Sequence, residues 1–490
     1  MRFFFGINLL HDIACSGTLK YVKHLNSQNN QNPLSFCVSM STNQTNTTKP
    51  VFGHILMGGA LSGALVRDIR LANELASRGY EVHVWWAMDI QKDAPLDSRI
   101  HQHVLFSGLR YAYKIGRPVM DALGKLSQKL YSDKKRSRTL QKRGKMLQNI
   151  MGNFLKLVAD GVEKDAGPLN RFIREVSEAK ITHMFPMLAA LAPYALAARD
   201  RCPLKPKCQM IFQGYELYIN YARAIGIEQD VYARFRKCAN QTDWQAVCVS
   251  EDYKERVIED IGVDADRLIA IPPGVPAQQT LTREDAWKHI HKRFPGFETD
   301  IPLITYLGRQ DVEKGIDLLL YACKILQQRG VKFKLLIAGP TLFGEANQVT
   351  IVQLIENLRL DKHVHRNKMI PEDMRIAFFA ASTCVVYPSI HREPFGMVPV
   401  EAGAFGTPAV VPGYGGVAQT VKVNGLQSGL HFDVWDSGSL ADQLQKLIED
   451  KELWQKLSEQ GPAVANYYSV PNLANRLLDM MQIPYSTENT

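Results

Sequence analysis

The sequence predicts an α/β chain of two consecutive parallel-sheet domains, and three observations carry that expectation. Its 490 residues are 46% hydrophobic and 22% charged, an ordinary globular balance with enough apolar mass for two cores. From Val51 a strand, a glycine-rich turn, an amphipathic helix and a second strand follow one another. The same order returns from Pro302. Single strands alternating with helices wind a parallel sheet.

Residues 1–49 precede the pattern and read as a disordered leader or a mis-called extension, with Met40 as an alternative start. "MRFFFGINLL" is too short an apolar run for a signal sequence, and His11 and Asp12 end it. Asn26 to Pro50 is rich in Asn, Gln, Ser and Thr, and its sequons at Asn43 and Asn46 matter only in a secretory context. "VFGHILM" is then an apolar strand, "GGALSG" its turn, and "ALVRDIRLANELASRG" a helix with Gly79 as its stop. "YEVHVWW", "ITHMF", "CQMIF" and "WQAVCVS" are the next strands. The boundary falls near Pro276, giving a first domain of residues 50–276 with a basic helical insertion at about 107–180. The second, residues 277–467, repeats the scheme with "PLITYLGR", a helix stopped by Gly330, "FKLLIAGP" and "STCVVYPS". Both domains read as Rossmann-like. Residues 468–490 hold a last helix free to pack on either.

The net charge of +9 and a pI near 9.0 suggest anionic partners. Between Arg110 and Lys145 twelve lysines and arginines face two aspartates. Three readings stay open for that segment: a solvated helical face, a surface docking on anionic lipid, or a nucleic-acid contact, the last without a recognisable module. Interleaved apolar residues in "GRPVMDALGKLSQKLY" suit an interfacial helix. The eight cysteines show no CxxC pair and read as buried thiols. The apolar run from Ile181 to Ala198 is broken by Pro186 and Pro193 and is no membrane span.

The chemistry concentrates after strands. Gly58 and Gly59 precede a helix, a turn that is either merely tight or a phosphate cradle; the spacing is not that of a dinucleotide fingerprint. "YLGRQDVEKGID" sets Arg309 and Lys314 five apart beside a helix start. A cation there opposes the helix dipole by about 0.3–1 kcal/mol, and an anion such as a diphosphate reverses that penalty. The plain alternative is a pair of surface cations. "EPFGMVPVEAGAF" places Glu393 before a Pro-Phe-Gly turn and Glu401 in the helix that follows, Met397 to Phe405. Glu401 can accept two hydrogen bonds from a cis-diol such as ribose, and Glu393 can reach sugar hydroxyls; such charge-assisted bonds contribute about 1.5–3 kcal/mol each.

"YLGR…EKG", "EPFGMVPVEAGAFGTPAVV", "SGLHF", "GGALSG…LANELASRGYEVHV" and "VCVSEDYKERVIEDIGVDADRLIAIPPGV" together resemble the retaining glycosyltransferases of family four, across residues 51 to 485. The resemblance implies a GT-B fold, two Rossmann-like domains facing each other across a cleft, and a hexosyltransferase. It implies a nucleotide-diphosphate sugar as donor substrate, with no cofactor and no metal. Arg309, Lys314 and Glu393 take the catalytic roles: the two cations hold the leaving diphosphate, and Glu393 holds the transferred sugar. Gly59, Met369, Ile370, Phe395, Gly396, Met397, Val398 and Glu401 bind the donor, with Glu401 on the ribose. The acceptor, a glycan or lipid-linked molecule, falls to the first domain, near Gln213 and His183. Gln213 stands where many relatives carry a histidine, and His183 reads first as a satisfied core histidine and only second as an acceptor contact. His391 and Arg392 either line the donor pocket or serve the loop. The single D-x-D, Asp264-Ala-Asp266, sits in a helix-to-strand loop beside Arg267. A cytoplasmic enzyme of polysaccharide biosynthesis, peripheral on an anionic membrane, is the expected setting. A nucleotide-sugar epimerase of the same fold and a non-catalytic nucleotide-sugar-binding protein are the alternatives.

Overall fold

The computed structural model describes residues 49–58, 62–87, 90, 94–106, 151–214, 216–276, 281–340 and 346–485. The leader, Gly59 and the basic segment Arg110–Lys145 lie outside the described residues.

The N-terminal lobe begins with β1 (Val51–Leu56), helix Gly63–Ser77, β2 (Glu81–Trp86) and β3 (His101–Val104). Ser62 caps the helix by accepting the Leu65 N–H at 3.3 Å, and Gly79 ends it at φ 73°. β4 (His183–Pro186) and β5 (Lys207–Cys208) complete a five-stranded parallel sheet in the order β3-β2-β1-β4-β5. β6 (Ile211–Phe212), β7 (Ala246–Cys248) and β8 (Leu268–Ala270) form a second parallel sheet. The expected single strand "CQMIF" is thus divided between two sheets. Phe52, Ile55, Val82, Val84, Trp85, Met184 and Val247 bury fully or nearly so beneath flanking helices.

The C-terminal lobe winds β9 (Leu303–Leu307), β10 (Lys334–Ala338), β11 (Val364–Asn367), β12 (Cys384–Val386), β13 (Ala409–Pro412) and, after the small hairpin of β14 (Lys422–Val423) and β15 (Leu426–Gln427), β16 (Gly429–Phe432). All six main strands are parallel, in the order β11-β10-β9-β12-β13-β16. The chain reverses its winding direction between β9 and β12, the switch point where open α/β sheets bind ligands beyond the strands' carboxyl ends.

Two elements join the lobes. Helix Lys451–Tyr467 packs on helix Met397–Gly403 so closely that a Cβ on Gly461 would lie 2.6 Å from the Gly403 carbonyl oxygen. Its far end, Val464 and Ala465, enters the N-terminal core. Helix Val470–Met480 then lies on the N-terminal lobe: Leu473, Ala474, Leu477 and Leu478 bury there, and Arg78 donates to Asn475 Oδ1 at 2.7 Å.

Candidate functional site

The two charged loops foreseen in the second domain leave the carboxyl ends of β9 and β12 at the switch point. Arg309 follows β9; its guanidinium pairs with Asp311 and, at 2.9 Å, with Glu313, and remains one-third exposed. Lys314 ends a short turn and is buried. Gly315 follows at φ 64°, where a Cβ would lie 2.1 Å from the Pro388 carbonyl oxygen, so only glycine lets the two loops meet. Across that contact Lys314 Nζ pairs with Glu393 Oε1, and Ser389 Oγ donates to the same oxygen at 2.9 Å.

Both charges are more than nine-tenths buried. Burial pushes the Lys314 ammonium down, but its neighbours Tyr387 and Glu393, the latter also bonded to it, outweigh that and hold the group above its usual range. Burial likewise raises Glu393, and Lys314 overrides it to hold the carboxyl below its usual range. The ion pair is held in place, and the guanidinium beside it keeps a third of its surface open to an incoming anion.

Glu401 sits in helix Met397–Gly403, as expected, and is also buried. Its carboxylate is gripped by two arginines: Arg375 donates to Oε2 and Arg70 to Oε1, each at 2.7 Å. Burial raises its pKa; Arg375 and Arg70 together bring it below the usual range. Arg70 belongs to helix Gly63–Ser77 of the other lobe and also donates to the Gly274 carbonyl at 3.2 Å. Each carboxylate oxygen keeps a lone pair for a further donor.

The other residues expected at a donor site divide. Gly396, at φ 109°, makes the turn that starts helix Met397–Gly403, and Met397 faces Gly63 and Arg70. Phe395 turns its ring into the core against Tyr468, 5.3 Å away, so only its backbone faces the loop side. Val398 and Ile370 pack partly into hydrophobic clusters, whereas Met369 is 74% exposed beside them in the chain. Arg392 turns away to the other lobe and makes a bidentate pair with Asp252. Ser250 Oγ donates to the Pro394 carbonyl at 2.6 Å, a second tie between that lobe and the Glu393 loop.

In the first domain Gln213 follows β6 and lines a shallow hollow with Leu188, Ala189, Phe212, Gly214 and Phe235. Its amide donates to Asp68 Oδ2 at 2.5 Å and to the Met187 carbonyl at 2.8 Å. Both N–H groups are therefore committed, and only the amide oxygen is left for an incoming hydroxyl. His183 begins β4 at the sheet's amino edge, stacks on Trp244 and receives or gives a hydrogen bond at Thr182 Oγ1, 2.8 Å away. Burial holds its imidazole at about 4. The structure therefore gives it the surroundings of a core histidine and separates it from Gln213. Asp264 precedes, and Asp266 lies within, the short turn Ala265–Arg267 that leads into β8.

Sequence reasoning missed Arg70, Arg375, Ser389 and Asp68. Arg70 and Arg375 meet Glu401, and Asp68 meets Gln213, from other elements of the chain, whereas Ser389 stands only four residues before its partner Glu393. A buried arginine–aspartate step, Arg67–Asp68, inside an otherwise apolar helical face was the available signal.

Paired sheets with charged loops meeting at their carboxyl edges define the GT-B class, and solved structures agree. Sucrose-phosphate synthase of Thermosynechococcus elongatus matches with a TM-score of 0.65 at 16% identity, over 89% of this chain and 98% of that one. Alr3699/HepE of Anabaena, solved with UDP-glucose, matches at 0.62 and 16% identity, over 88% and 99%. Residues 288–464 match the family model described as glycosyl transferases group 1. Mannosylfructose-phosphate synthase of Agrobacterium fabrum is 27% identical over 274 residues, 55% of this chain and 57% of the relative. D-inositol 3-phosphate glycosyltransferase of Corynebacterium urealyticum is 29% identical over 217 residues, 44% and 50%. The chain spans about half the length of the curated relatives it matches.

Proposed function

We propose that this chain is a retaining hexosyltransferase that moves a sugar from a nucleotide-diphosphate sugar to a glycan or lipid-linked acceptor, without a metal at the diphosphate. The observation that carries the reading is the buried Lys314–Glu393 pair with Arg309 beside it at the switch point. Arg309 and Lys314 hold the diphosphate and stabilise the charge that grows as the glycosidic bond to it breaks. Glu393 holds hydroxyls of the transferred sugar, and Glu401, steadied by Arg70 and Arg375, receives the ribose hydroxyls. The acceptor hydroxyl enters beside Gln213 and attacks the anomeric carbon on the face the diphosphate leaves. The departing phosphate takes its proton. Neither glutamate acts as a nucleophile. The Anabaena complexes with UDP and UDP-glucose support a nucleotide sugar as the donor class.

A thermal-shift panel of nucleotide sugars, followed by transfer assays with the one that stabilises most, tests this. A donor at 100 times its dissociation constant adds about 2.7 kcal/mol of stability. Product with retained anomeric configuration, lost in Lys314→Ala, is expected. Isomerised donor without an acceptor indicates the epimerase instead, and donor binding without any turnover indicates a binding protein.

A further inference from the structure

We propose that Glu81, His83 and His101 form a binding site for a divalent transition ion of zinc's class, at the outer edge of the N-terminal sheet. β2 and β3 run parallel with His83 opposite His101 and Trp85 opposite His103. Alternation along each strand therefore gathers Glu81, His83, His101 and His103 on one face. One ligand atom from each of Glu81, His83 and His101 lies within 4.8 Å of the others. His83 Nε2 stands 3.0 Å from Glu81 Oε1. An ion seated there replaces the single proton that now joins those two atoms.

The arrangement is built rather than incidental. His83 is nearly buried, whereas Glu81 and His101 are exposed, so the face is fixed beneath and open above. His83 Nδ1 lies 3.0 Å from His103 Nε2. With the proton on Nδ1, His83 donates to His103 and turns its Nε2 lone pair outward, as metal-bound histidines are held by a partner on the other ring nitrogen. His103 stacks on Trp85 at 4.6 Å, and Trp85 donates to Glu175 at 2.9 Å, which locks the support under helix Ala166–Glu178. Imidazole nitrogens with one carboxylate oxygen and no thiolate suit zinc, nickel or copper(II) over calcium or magnesium. Three protein ligands leave a position for water. These residues stand toward the amino ends of their strands, whereas the charged loops of the other lobe leave the carboxyl ends of β9 and β12. A metal there staples β3 to β2, takes no part in sugar transfer and does not depend on the reading of that reaction.

The full-length chain, stripped with a chelator, is titrated with zinc chloride against a chromogenic competitor and with cobalt chloride by visible absorption. One ion is expected to bind with visible cobalt bands. His101→Ala and Glu81→Gln, both changes at exposed side chains, should each weaken binding by at least about tenfold. Unchanged circular dichroism and unchanged nucleoside diphosphate affinity will show that these variants stay folded. Absence of saturable binding, or binding that both substitutions leave untouched, overturns the proposal.

Discussion

At the scale of single residues, the site rests on charges that the fold has buried in pairs. Removing one partner of such a pair leaves the other uncompensated, which costs about 3–5 kcal/mol. Glu393→Ala should therefore lower the denaturation midpoint measurably, whereas a Lys314→Met/Glu393→Leu double variant should recover most of that stability and none of the activity. Lys314→Met alone should reduce transfer by about 10²–10³-fold, as for other groups that stabilise a developing anion. The pH dependence has a definite sign. Glu401 has its folded pKa held down by its two arginines despite burial. Its contribution is present above the ordinary glutamate value of about 4.3 and is lost as pH falls through the folded value. The urea midpoint of the wild type should thus drop more steeply than that of Glu401→Gln below about pH 5. Parallel curves would remove the ionic role.

At the scale of elements, glycines set how closely the loops and helices of the site approach. Gly315→Ala would drive a Cβ into the Pro388 carbonyl and displace the Ser389–Glu393 loop, so thermal stability and donor affinity should fall together. Gly461→Ala would press on the Gly403 carbonyl in the helix that carries Glu401; a loss of about 1–3 kcal/mol by thermal denaturation is expected. Elements differed in how far the sequence revealed them. β1, β2, β9, β10 and β12 were legible because central parallel strands are continuous apolar runs. β3, "HQHV", and β11, "VHRN", were not: they are edge strands whose polar side chains mimic loops. The two glutamates and two cations stood out because strand ends and helix starts frame them. Arg70 did not, because its partner Glu401 lies 331 residues away and no pattern within the helix announces it.

At the scale of the whole molecule, the C-terminal and N-terminal lobes are joined by charge as well as by the terminal helices. Arg70–Glu401 and Arg392–Asp252 cross between them. If Glu401 takes the ribose, donor binding and lobe contact share one carboxylate. Arg70→Ala should then alter donor KM more than Asp252→Ala does, with both measured by initial rates. Among the described residues no helix is long and apolar enough to cross a membrane. We propose that the basic stretch from Arg110 to Lys145, outside those residues, docks the enzyme on anionic lipid at the cytoplasmic face; co-sedimentation with phosphatidylserine vesicles should be strong at low salt and weak at high salt. No pelleting at low salt would remove that surface.

The most direct measurement is calorimetric titration of the wild type and Lys314→Met with the nucleoside diphosphate of the donor that stabilises the chain most. Affinity at least about a hundredfold weaker in a variant that remains folded is the expected result, since a pre-formed anion contact of this kind supplies about 2.7 kcal/mol or more. Equal affinity in the two proteins would mean that the diphosphate lies elsewhere.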